Sequence, residues 1–145
     1  MNSYGTPSIA IRAIKPVSNI KIGWIAPMNF EAAQTRIRVL IVNKYLRSIG
    51  YYSNIVDYQD ILDKNYNIAI VGKAFDENNY KKILLLKQYN KIVFCDLCED
   101  IIGWSWVNEI LAVCDRVIVC SFELEKKVKP INFKTLVIED AYEES

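Results

Sequence analysis

The sequence predicts an α/β domain built on one open, mostly parallel six-stranded sheet with helices on both faces. Short apolar runs alternate with longer polar, helix-like segments about six times along the chain, the signature of repeated strand–helix–strand units with right-handed crossovers. The runs Ile68-Ala69-Ile70-Val71, Ile92-Val93-Phe94 and Val117-Ile118-Val119 are continuously apolar rather than alternating, as expected of parallel strands covered on both faces. The 145 residues, 52% of them hydrophobic, suit one domain with a core of its own.

Each element has a local reason. Residues 1–19 read as a leader, partly ordered, with breaks at Pro7 and Pro16, and 20–145 as the domain. Lys21–Ala26 is the first strand. Thr35 is the N-cap of a helix running to Ile49, with an apolar face of Val42, Tyr45, Leu46 and Ile49 and Gly50 as its stop. Tyr51–Val56 is the second strand and Asn67–Val71 the third. Asp76 caps a helix that ends near Asn90. Lys91–Cys95 is the fourth strand, followed by a loop, 96–103. Trp104–Cys114 is helical, with Val107, Ile110, Leu111 and Cys114 on one face. Asp115–Cys120 is the fifth strand, Ser121 caps a short helix that Pro130 stops, and Lys134–Ile138 is the sixth strand. The expected strand order is 3-2-1-4-5-6, a Rossmann-like arrangement. Its switch point falls between strands one and four and joins the loops 27–34 and 96–103 in one crevice.

Several function classes fall away. The chain has no histidine, which removes Ser-His-Asp and Cys-His nucleophiles and the common histidine zinc sites. Lys and Arg total 18 against 17 Asp and Glu, too balanced for a binder of nucleic-acid backbones. No apolar run approaches the length of a membrane span, and residues 1–19 lack the apolar stretch of a secretory signal. The segment after strand one, Pro27-Met28-Asn29-Phe30-Glu31-Ala32-Ala33-Gln34, has no glycine, so it cannot cradle a pyrophosphate as Gly-x-Gly-x-x-Gly does, and no Gly-Lys-Ser/Thr precedes a helix. No cofactor is expected to bind this domain. The four cysteines, Cys95, Cys98, Cys114 and Cys120, read as reduced cytosolic thiols. Their spacing fits zinc ribbons poorly and Cys114 completes an apolar helical face, so no metal site is assigned.

The candidate site residues cluster on the predicted crevice. Arg36 and Arg38 stand in the first turn of a helix, where cations oppose the macrodipole; the violation marks either a contact to an anion or sugar hydroxyl, or surface arginines solvated or paired near Glu99 and Asp100. Asn29 and Gln34 are polar residues of the same loop. Asp96, Glu99 and Asp100 follow strand four. A carboxylate there can orient a hydroxyl or take its proton, which makes Asp96 the catalytic candidate; capping and loop hydrogen bonds are the competing use. Lys73 follows strand three and could reach a ligand or stay solvated. Trp104 and Trp106 could platform a sugar ring or fill core.

These segments together resemble a known family. Ala26-Pro27, then Thr35-Arg36-Ile37-Arg38-Val39-Leu40 and Lys44-Tyr45-Leu46-Arg47-Ser48-Ile49-Gly50-Tyr51, are similar to the start of GT-B-fold glycosyltransferases, in particular the retaining, glycogen-synthase-like group, family four. Val71-Gly72-Lys73-Ala74-Phe75, Val93-Phe94-Cys95-Asp96-Leu97-Cys98-Glu99-Asp100, Asp115-Arg116-Val117-Ile118-Val119-Cys120-Ser121 and Val137-Ile138-Glu139-Asp140-Ala141 resemble later segments of that family in the same order. The resemblance spans roughly Lys21 to Tyr142 and departs from the family in the glycine-free loop. It implies the N-terminal, acceptor-side half of a sugar transferase. A second Rossmann domain, in cis or in trans, would hold the nucleotide-sugar donor, and the chain alone would be inactive. The acceptor would be a carbohydrate or a lipid-linked sugar, contacted by Arg36, Arg38 and Lys73 with Asp96 orienting its hydroxyl, in a cytoplasmic setting that includes the inner membrane face. The alternative expectation is a stand-alone α/β binding or interaction module, pairing with another chain or with itself. A receiver-like domain is disfavoured, because the first strand ends in Ala26-Pro27 and the third in Val71-Gly72 rather than in acidic residues.

Overall fold

The computed structural model describes residues 19–25, 36–72 and 75–139, with only the backbone of 36–38. Residues 1–18, 26–35, 73–74 and 140–145 lie outside the description, and with them the expected N-cap Thr35. Six strands form one all-parallel sheet: β1 (Lys21–Ile25), β2 (Tyr52–Ile55), β3 (Ile68–Gly72), β4 (Ile92–Leu97), β5 (Arg116–Val119) and β6 (Thr135–Val137). Between them come a π-helical turn, Arg36–Ile41, that runs into α1 (Val42–Ser48), then α2 (Tyr58–Asp63), α3 (Glu77–Gln88), α4 (Val107–Val113) and α5 (Phe122–Val128). The fold class is the expected α/β one.

The strand order is 2-1-3-4-5-6, not 3-2-1-4-5-6. The reason lies in the strands themselves. The expected order would put β3 at the margin, yet Ala69, Ile70 and Val71 are all buried. The margin instead belongs to β2, Tyr-Ser-Asn-Ile, which is polar enough to stand beside solvent. The chain must therefore cross β1 to place β3 between β1 and β4, and the switch point moves to β1/β3. The crossover is α2, a helix absent from the sequence reading. Asp57 caps it: its carboxylate accepts from the Asp60 N–H at 2.8 Å, and the Asp60 side chain accepts in return from the Asp57 N–H at 3.4 Å.

Two unequal layers cover the sheet. On one face α2 to α5 pack Ile61, Ile83, Leu86, Ile110, Leu111 and Val128 onto Ala69, Val71, Val93, Cys95, Val117 and Val119. Gly23 is what lets α2 sit close, since a Cβ there would come within 2.4 Å of Ile61 Cδ1 and 2.8 Å of Val56 Cγ2. The other face carries α1, whose Val42 and Leu46, with Val39, pack on Trp24, Ile70 and Ile118. A buried relay pins this layer: the Trp24 indole N–H donates to Ser53 Oγ at 2.9 Å, and Ser53 O–H donates to Asn43 Oδ1 at 2.6 Å. Tyr45 and Ile49, expected on the apolar face of α1, are exposed. Asn43 is buried beside Val42 and Leu46 in their place, because its amide accepts from buried Ser53.

On this second face the packing reaches Ile118 of β5, and beyond it apolar side chains are exposed. Ile92, Leu136 and Ile138 are exposed there and Phe94 is half-buried. Phe94, Arg116 and Phe133 border a shallow depression on it. No helix among the described residues is long and apolar enough to cross a membrane.

Candidate functional site

Parallel strands leave a crevice beyond their C-terminal ends, and one of about 410 Å³ lies there, at the ends of β3 and β4. Its walls include Phe75, Asp96, Cys98, Glu99, Ile101 and Trp104. Asp96 belongs to the strand, not to the following loop: β4 continues to Leu97, and Asp96 pairs in register with Gly72 on one side and Ile118 on the other. The strand therefore fixes the Asp96 backbone, and Gly72 lets β3 approach it, since a Cβ at Gly72 would lie 3.1 Å from the Asp96 carbonyl oxygen. Glu99 follows two residues after the strand ends and lines the same crevice.

The aromatic wall depends on how α4 begins. The helix starts at Val107, three residues later than its sequence pattern suggests, because Trp106 takes a left-handed conformation with φ 67°. That conformation is costly for a bulky residue. Trp106 is held by its ring contact with Tyr80, centroids 5.3 Å apart. Gly103 also has positive φ, and its N–H donates to Asn108 Oδ1 at 2.9 Å. This double turn throws Trp104 out of the helix and onto the crevice wall with two-thirds of its surface exposed, 66%. Of the two tryptophans considered as platforms, Trp104 is thus at the crevice and Trp106 is a packing residue.

The remaining candidates divide. Asp100 turns to a neighbouring cleft and pairs with Lys127, whose ammonium hydrogen bond holds the carboxyl below its usual range. Asn29, Gln34 and Lys73 lie outside the described residues, as do the side chains of Arg36 and Arg38; the backbone of both lies in a π-helical turn rather than in the first turn of the expected α-helix. So the structure brings Asp96, Glu99 and Trp104 together and separates Asp100 from them. Phe75, Cys98 and Ile101 are crevice residues that the sequence reading did not assign. The only signal for Phe75 was its place just past a strand end. Among the described residues no three His, Cys, Asp or Glu side chains are grouped to hold a metal ion.

Two carboxylates beside a broad exposed aromatic face can grip a ring that carries hydroxyls: the carboxylates accept O–H donors and the indole covers the ring's C–H face. Compared with known proteins, the chain matches no family model, no curated protein and no solved structure.

Proposed function

We propose that this domain binds a polyhydroxylated, sugar-type ligand in the crevice at the end of β4, as the acceptor side of a glycosyl transfer whose nucleotide-sugar donor is held by a second Rossmann domain. The observation that carries the reading is that Asp96, Glu99 and Trp104 all line one crevice. In that role Asp96, fixed by two strand neighbours, orients an acceptor hydroxyl. Glu99 accepts from a second hydroxyl and Trp104 stacks on the ring. The glycine-free loop 27–34 supports giving the phosphates of the donor to another domain.

The test is ligand-observed NMR of the full chain against short glycans, nucleotide-sugars and free nucleotides. Glycans bind and nucleotides do not. Trp104→Ala and Asp96→Asn each weaken glycan binding by about tenfold, the size of one lost charge-assisted hydrogen bond or stacking contact. Nucleotide binding without glycan binding overturns the division of labour.

A second reading, an interaction module without catalysis, is favoured by one separate observation, the exposed apolar side chains of Ile92, Leu136 and Ile138 on the α1 side of the sheet, of a kind that a partner can cover. Under that reading the chain binds no glycan and its mass by light scattering exceeds one chain, or rises on mixing with a partner.

A further inference from the structure

Cys98 and Cys120 occupy equivalent places just past the ends of neighbouring strands. β4 and β5 are in register through Leu97 and Val119, and each cysteine is the next residue. Adjacent parallel strands run about 5 Å apart, inside the window of about 4.4–6.8 Å between Cα atoms that a disulfide requires. Beyond the last ladder pair the backbone is not held by strand hydrogen bonds on both sides, which leaves room for the side chains to adjust. The Cys120 thiol already points at β4: its Sγ donates to the Cys98 carbonyl oxygen at 3.6 Å. Both residues line one cleft of about 180 Å³, together with Ser121 and Lys127, and both are partly exposed. Cys98 also borders the larger crevice, so an oxidant reaches it from two sides.

The other two cysteines behave differently. Cys95 and Cys114 are buried on the helix-covered face of the sheet. The hydrogen bond with Cys114 and complete burial push the Cys95 thiol well above its usual value, which keeps it unreactive.

We propose that Cys98 and Cys120 form a reversible intramolecular disulfide, a redox modification site at the C-terminal end of the sheet. With hydrogen peroxide as oxidant, the Cys98 thiolate attacks the peroxide oxygen. The O–O bond breaks, an S–O bond forms, and one water leaves after protonation. The Cys120 thiol then attacks the sulfenic sulfur. The S–O bond breaks, the S–S bond forms, and a second water leaves. Two thiols lose two electrons and two protons, and one peroxide becomes two waters. A dithiol reductant reverses the change by exchange. The bond staples the loop after β4 to the start of α5, and the site stands whatever ligand the crevice takes.

The test is treatment of the folded full chain with hydrogen peroxide, followed by alkylation under denaturing conditions and peptide mapping. The expected product is a monomer lighter by two hydrogen atoms, with two of its four thiols protected. A linked peptide pair contains Cys98 and Cys120, and dithiothreitol restores all four thiols. Cys98→Ser and Cys120→Ser each abolish the link. Mapping of the unaltered chain settles the matter even if a variant folds poorly. The proposal is overturned if all four thiols survive, if the link joins Cys95 to Cys114 or two chains, or if one of the pair goes to sulfinic acid while the other stays reduced.

Discussion

Replacing Ser53 by alanine tests how the second layer is held. Ser53 is 1% exposed and its hydroxyl is the middle of the relay from Trp24 to Asn43, accepting at 2.9 Å and donating at 2.6 Å. Removing one oxygen strands two buried groups at once, the indole N–H and the Asn43 amide oxygen. A buried polar group left without its partner costs about 1–3 kcal/mol. Asn43 lies nearer the surface, 8% exposed against 5% for Trp24, so water recovers part of its share. The expected loss is about 2–4 kcal/mol, or about 5–15 °C in Tm for a chain of this size. Urea titration followed by tryptophan fluorescence reads it as a lower midpoint at unchanged slope. Trp24→Phe made alone and in the Ser53→Ala background completes a double-mutant cycle. Most of the Trp24→Phe cost disappears in that background if the relay is as described. A loss below about 0.5 kcal/mol, or strictly additive costs, refutes the reasoning.

Three further outcomes follow from the packing. Gly23→Ala forces a methyl against Ile61 and Val56 in a core without slack and lowers stability by about 1–3 kcal/mol, measured by the same urea midpoints. Asp76→Ala removes the acceptor that takes the Asn79 N–H at 2.8 Å at the start of α3 and costs about 1 kcal/mol, visible as a lower Tm by circular dichroism. Asp115 ties α3 to the sheet. Burial works to raise its carboxyl, but the hydrogen bonds from Lys87 and from the Val93 N–H, the latter at 2.8 Å, outweigh it and hold the group below its usual range. A depressed carboxylate stabilises the fold above its unfolded pKa of about 3.9, and that stabilisation is lost as pH falls through the folded value. Asp115→Asn therefore flattens the acid limb of a stability–pH profile below about pH 5. An unchanged limb counts against the pairing.

Much of the architecture was legible because parallel strands announce themselves. The apolar runs around Ile70, Phe94 and Ile118 located three central strands, and Asp76 and Ser121 marked two helix starts that the structure confirms, each accepting a backbone N–H. What escaped has physical causes. α2 is six residues long, too short for a helical period to emerge from Ile61 and Leu62, and only the Asp57–Asp60 pair betrayed it. The strand order was misread although its cue was present: Ala69 to Val71 are too apolar for a margin. The face of α1 was misassigned because a buried polar partner, Ser53, draws Asn43 inward, and an apolar periodicity gives no sign of such a pair. At the crevice, Asp96 and Glu99 could be read from their place near the end of a strand, although Asp96 proves to be part of it. The exposure of Trp104 could not, because it follows from the left-handed turn at Trp106, a residue type that gives no hint of that conformation.

The two margins of the sheet are short: four residues in β2 and three in β6. A strand docking beside either would gain few backbone hydrogen bonds, so lateral growth of the sheet is poorly rewarded. The exposed apolar side chains on the broad side, Ile92, Leu136 and Ile138, offer the opposite kind of contact, one without direction. Association through that side would weaken on cooling, strengthen in sulfate, and respond little to moderate sodium chloride. A strand-to-strand or ion-paired contact would show a different pattern, so temperature and the choice of salt alone can tell which side of the sheet a neighbour has found.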